Sequence, residues 1–227
     1  MIPSHLSQVV QQFSVWILPL VLAITLHEAA HGFAALRLGD DTAQRMGRIS
    51  ANPIRHIDPF GTLILPGLLL LSGSSMMFGW AKPVPVNFNR LKPARLGMAL
   101  VGVAGPATNV ILAVISGLLL YAVPYLPASG QEWTADNLQN SVVINLILAV
   151  FNMIPIPPLD GGRVAVGLLP RRYAAALQRA ERYTFPGLMI AMFVLPFLGI
   201  NVFGWVVGVP VSYLMDLLYQ SIGIPLS

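Results

Sequence analysis

Apolar residues along the chain fall into long blocks separated by short polar stretches. Roughly residues 10–36 predict a first membrane-length helix ending at a Gly39-Asp40-Asp41 turn. A second block, 59–79, is broken by Pro66, Gly67 and a Gly-Ser cluster. Residues 96–123 and 141–158 form a third and a fourth, with the loop 124–140 between them. Residues 185 to about 220 form a last one, interrupted by Gly199, Asn201 and Pro210. Residues 171–183 (RRYAAALQRAERY) predict an amphipathic surface helix with its Arg heads toward anionic lipid. There is no repeat of fixed period, and residues 1–227 read as a single domain with a core over about 10–183 and a C-terminal membrane segment over 185–222.

Composition turns this pattern into an environment. Hydrophobic residues make up 56% of the 227 and charged residues 10%, against roughly 25% charged in a soluble domain. With a mean hydropathy of +0.72, the expected class is an all-α polytopic membrane protein with four to six transmembrane helices. Nucleic-acid binding, a disulfide scaffold and a disordered tail are excluded. The basic pI of about 9.8 then reports topology. All 13 Lys and Arg residues fall in three loops: Arg37 to Arg55, Lys82 to Arg95 and Arg163 to Arg182. The 124–140 loop holds Glu132 and Asp136 and no base. If 59–79 crossed the membrane, the first two basic loops would face opposite sides. A re-entrant, hairpin-like element at 59–79 removes that conflict. It puts the N-terminus and 124–140 outside and the basic loops in the cytoplasm, in a multi-pass protein of the cell (inner) membrane. The first 13 residues lack the basic region of a secretory signal, so the first span is expected to be retained.

The strongest chemical signal is His27-Glu28-Ala29-Ala30-His31. Two His at i and i+4 share one helix face and can reach one Zn²⁺, leaving the intervening Glu as general base. The bland alternative is polar packing glue, but adjacent ionisable groups at membrane depth are costly unless they have a function. A catalytic zinc takes three protein ligands and keeps one open position. The chain has no Cys, His5 is expected on the far side, and Asp160, which closes the fourth block, arrives in the same leaflet as the His pair. Its alternative reading is a helix-terminating Asp-Gly-Gly turn.

Taken with Gly105-Pro106-Ala107-Thr108-Asn109 and the run Asn152-Met153-Ile154-Pro155-Ile156-Pro157-Pro158-Leu159-Asp160-Gly161-Gly162, the chain resembles the site-2 protease family of intramembrane zinc metalloproteases over residues 20–183. The resemblance implies one Zn²⁺ held by His27, His31 and Asp160, Glu28 as base, and transmembrane protein substrates cut near the cytoplasmic side. Having no PDZ or CBS domain, the chain resembles the minimal bacterial branch.

The remaining polar motif residues have two readings each. Gly102, Gly105 and Ala107 make a small-residue face for close helix packing. Asn109 and Asn152 are candidates to hydrogen-bond substrate, oxyanion or a ligand, or are interhelical glue. Residues 48–53 and 81–87 read as extended pieces. With Pro83 and Pro85 the second suits an edge strand that would receive an unwound substrate; the alternative is a Pro-rich loop. His56 is an additional metal or substrate contact, or an interfacial hydrogen-bonded His. The expected function is an intramembrane zinc metalloendopeptidase acting in regulated intramembrane proteolysis, embedded in the bilayer and binding no nucleic acid; oligomeric state is not legible. The competing readings are a metal-ion transporter or channel and an inactive relative that binds membrane helices. A transporter has no need of Glu28 between the His residues and usually shows repeats.

Overall fold

A computed structural model describes residues 4–64, 68 and 81–223, and within them it is helical with no strand. Helix α1 (Ser4–Arg37) is followed by the single turn α2 (Thr42–Arg45). Helix α3 spans Ala94–Leu119, α4 Ala128–Asn152, α5 Asp160–Leu168, α6 Arg171–Phe193 and α7 Val209–Ile222. Among the described residues, two helices are long and apolar enough to cross a membrane, over Ser14–Arg37 and Ala94–Tyr125. Most of the expected re-entrant element lies outside the described residues. Of it, Pro59–Ile64 forms a wide helical turn.

Helix α3 is the centre of the assembly, packed against α1, α4 and α5. Its small residues permit this. A side chain at Gly102 would meet the Asp160 carbonyl at 3.0 Å, and Gly167 of α5 lies so close to α3 that a Cβ would fall 2.6 Å from the Arg95 carbonyl. Arg95 in turn donates to the Leu169 carbonyl at the end of α5, satisfying part of that helix terminus. A second core joins Ala113 of α3, Val142 and Leu146 of α4 and Val211 and Tyr219 of α7. Exposed apolar side chains such as Trp16 and Leu20 on α1 and Ile111 and Ile115 on α3 suit a hydrocarbon surrounding.

Three boundaries differ from those the sequence predicts. The 124–140 loop is mostly helix, starting at Ala128 just after Pro127, and its polar residues find partners on α1. Trp133 Nε1 donates to Ser14 Oγ at 2.8 Å and Asn140 Nδ2 to the Val15 carbonyl at 3.0 Å. The fourth block ends at Asn152, where Pro155, Pro157 and Pro158 deny the helix its donors, and Asp160 opens α5 instead of closing a span. The surface helix at 171–183 continues through Pro186 to Phe193, and the break comes at 194–203, where Gly199 adopts φ +78°.

The segment 81–87 forms no helix and joins no ladder among the described residues, so the expected edge strand does not form there. It is held by single bonds at intervals. Lys82 N–H donates to the His56 carbonyl at 2.9 Å, Arg48 Nη2 to the Lys82 carbonyl at 2.6 Å and Asn87 N–H to Asp40 Oδ2 at 2.6 Å. Asp40 is fully buried at the end of α1. Burial would raise its carboxyl pKa, but bonds from Thr42 Oγ1, the Asn87 and Thr42 N–H groups and the nearby Arg90 outweigh it and hold the value below the usual range.

Candidate metal centre

His27 and His31 lie one turn apart on α1, which packs against α3 and α4, and both are buried. Asp160, the first residue of α5, reaches both of them and is 5% exposed. His27 Nε2 lies 3.1 Å from Asp160 Oδ2, His31 Nε2 3.2 Å from the same oxygen, and the two Nε2 atoms 3.1 Å apart. A tetrahedral zinc with bonds of about 2.0–2.1 Å sets its ligand atoms roughly 3.3 Å apart, so the triangle has nearly the right edge. Among the described residues these three form the group able to hold a metal ion.

The hydrogen bonds behind the triangle fix its chemistry. Asn109 Nδ2 donates to Asn145 Oδ1 at 2.8 Å and faces the Ala23 carbonyl at 3.4 Å, both acceptors. Asn109 Oδ1 therefore points at His27 Nδ1, 2.5 Å away, and accepts its proton. His31 Nδ1 donates to the Val101 carbonyl at 2.7 Å. In the neutral tautomers set this way, both Nε2 lone pairs converge on a carboxylate oxygen with no proton among them. Three acceptors within 3.2 Å of one another call for a cation, and the donor set fits Zn²⁺. Asp160 Oδ1 receives Arg163 Nη1 at 3.3 Å, which separates the two oxygens into one facing the arginine and one facing the histidines.

A cavity of about 260 Å³ opens beside the triangle. Glu28 borders it, together with Pro83, Val84, Asn152, Pro158 and Arg163. Glu28 Oε2 accepts the Val84 N–H at 2.7 Å, so the 81–87 segment holds one oxygen of the carboxylate. Asn152 donates to the Leu148 carbonyl of its own helix at 3.0 Å and lines the cavity. Asn109, with no surface exposed, lies behind His27 instead. His56 stands apart from the group, buried, with Nε2 2.9 Å from the Ser50 carbonyl. Sequence reasoning missed Asn145, Arg163, the Val101 carbonyl and the Val84 N–H. Asn145 had a signal, since it sits two turns before Asn152 on the same helix face; the backbone groups had none.

The family model described as Peptidase family M50 matches residues 128–195. The chain is 41% identical over 187 residues to "Putative zinc metalloprotease YwhC" of Bacillus subtilis, covering 79% of this chain and 80% of that one. It is 32% identical over 199 residues to "Putative zinc metalloprotease Rip2" of Mycobacterium tuberculosis, covering 87% of this chain and 71% of that one. A 64-residue stretch, 28% of this chain and 31% of the relative, is 42% identical to "Putative zinc metalloprotease MJ0611" of Methanocaldococcus jannaschii. No solved structure matches. The transporter alternative gives way to these likenesses. At this identity and coverage the chain belongs to Peptidase family M50, the site-2 protease family of membrane metalloendopeptidases, and its metal is Zn²⁺.

Proposed function

We propose that the chain cleaves transmembrane segments of membrane protein substrates near the cytoplasmic face, as in regulated intramembrane proteolysis, with His27, His31 and Asp160 as the zinc ligands and Glu28 as general base. The observation that carries this reading is the position of Glu28, bordering the same cavity as three convergent ligand atoms at the end of a helix apolar enough to span a bilayer. When bound, Zn²⁺ supplies Lewis acidity that activates water and polarises a peptide carbonyl. Glu28 takes a proton from the attacking water and passes it to the leaving amine. Val84 N–H holds one Glu28 oxygen. Asn152, on the cavity wall, is a substrate contact; Asn109 acts on His27.

The same reading places the chain in the cell (inner) membrane with four to six spans, a single domain over 1–227, a re-entrant element at 59–79 and the basic loops in the cytoplasm. Support for the topology comes from the three loops that hold every Lys and Arg. The segment 81–87 borders the cavity through Pro83 and Val84, where an unwound substrate would need backbone partners. The test is cleavage of a single-span substrate by the purified chain in bilayer discs. Activity should be lost with chelator, regained with Zn²⁺, and absent from Glu28→Gln.

A further inference from the structure

Behind the zinc triangle runs a one-way series of hydrogen bonds across α1, α3 and α4. His27 Nδ1 donates to Asn109 Oδ1 at 2.5 Å, Asn109 Nδ2 to Asn145 Oδ1 at 2.8 Å, and Asn145 Nδ2 to the Ser141 carbonyl at 2.8 Å. Asn145 Nδ2 also reaches Ser141 Oγ at 3.2 Å, and that hydroxyl lies 2.7 Å from Ser116 Oγ. Asn109 is 0% exposed and Asn145 1%, so both amides are closed off from bulk solvent.

The direction of the series matters because an amide can turn over. Reversed, Asn109 would present its NH₂ to His27 Nδ1, which would then have to accept. The ring proton would move to Nε2, and a protonated Nε2 cannot bind a metal. Asn109 alone does not prevent this strongly, since its Ala23 contact is long at 3.4 Å. Asn145 Oδ1 prevents it by meeting Asn109 Nδ2 with an acceptor. Asn145 is itself fixed because its NH₂ faces the Ser141 main-chain carbonyl, which cannot invert.

We propose that Asn145 is a positioning residue for the metal centre, locking the Asn109 amide so that His27 keeps its proton on Nδ1 and offers Nε2 to zinc. This rests on the reading of His27 as a ligand. It assigns a role to a residue with no contact to metal, cavity or substrate.

The experiment is zinc affinity of the metal-stripped full chain in bilayer discs, measured by competition with a chromogenic chelator. Asn145→Leu, which removes the acceptor, is expected to weaken zinc binding by about 10–100-fold, the range for lost outer-shell partners. Asn145→Asp, which keeps an acceptor toward Asn109 in either protonation state, should stay within about threefold of the wild type by the same measure. In an Asn109→Ala background, Asn145→Leu should cause no further loss, because its effect passes through that amide. Where Asn145→Leu does not fold, Asn145→Ala gives the same readout without added bulk. Wild-type affinity in Asn145→Leu or Asn145→Ala, or an equal loss with and without Asn109, overturns the proposal. If His27→Ala also binds zinc as the wild type does, the ligand assignment fails; if only His27→Ala is impaired, the assignment stands and the lock is refuted.

Discussion

Gly105→Ala adds one methyl group to α3, at the point where that helix passes under the two histidines. A Cβ there would lie 2.5 Å from His31 Nε2 and 2.6 Å from both Cε1 and Nε2 of His27. Uncharged heavy atoms settle at about 3.5 Å or more, so rings and helix must part by about 1 Å. Metal–ligand distances tolerate only about ±0.2 Å. The fold itself should survive, since Ala is favoured over Gly inside a helix by up to about 1 kcal/mol. The expected outcome is a folded protein whose zinc affinity falls by at least about 100-fold, beyond the effect of losing an outer-shell partner. Gly130→Ala, where no atom lies within 4 Å of the added carbon, is the control. Zinc content is read by atomic emission on purified protein, and folding by circular dichroism. A Gly105→Ala protein carrying wild-type zinc would refute the placement of the metal between these nitrogens.

Asp160→Ala should lose bound zinc, while Asp58→Ala and Asp136→Ala retain it, since of these only Asp160 faces the histidines; full zinc in Asp160→Ala would mean a different third ligand. Asp40→Asn should lower stability by about 1–3 kcal/mol at pH 7, because the buried carboxylate accepts from Thr42 and Asn87. The folded-state pKa of Asp40 is depressed, so its contribution is present above the unfolded value of about 3.9 and fades as pH falls through the folded one. Thermal unfolding of wild type and variant should therefore converge in strong acid, and a gap independent of pH would contradict this. Single cysteines at Ser50 and Asn87 should resist a membrane-impermeant thiol reagent on intact cells, while one at Ser129 labels at once; labelling at Asn87 alone among the first two would make 59–79 a full span.

The metal-capable group was legible because each of its members carries a local signature. His27 and His31 follow from the i, i+4 spacing on an apolar helix, and Asp160 from a carboxylate at the edge of a membrane block. What holds them in place was not legible, because those partners are remote in sequence and two of them are main-chain groups. His31 is oriented by the Val101 carbonyl and Glu28 by the Val84 N–H, and neither residue type announces such a role. Asn109 was visible as a polar residue at depth, but its partner choice depends on how α1, α3 and α4 cross. The helical course of 128–140 was hidden for a related reason. Its polar residues resemble a loop until Ser14 and Val15 of α1 receive Trp133 and Asn140.

The most direct test of the chemistry pairs metal analysis with proteolysis on one preparation of Glu28→Gln. Glu28 borders the cavity but is not among the converging ligand atoms. The variant should therefore carry one Zn²⁺ per chain, as the wild type does, and leave a single-span substrate uncut over a period in which the wild type consumes it. Cleavage at the wild-type rate by zinc-loaded Glu28→Gln would contradict the assignment of Glu28 as the base.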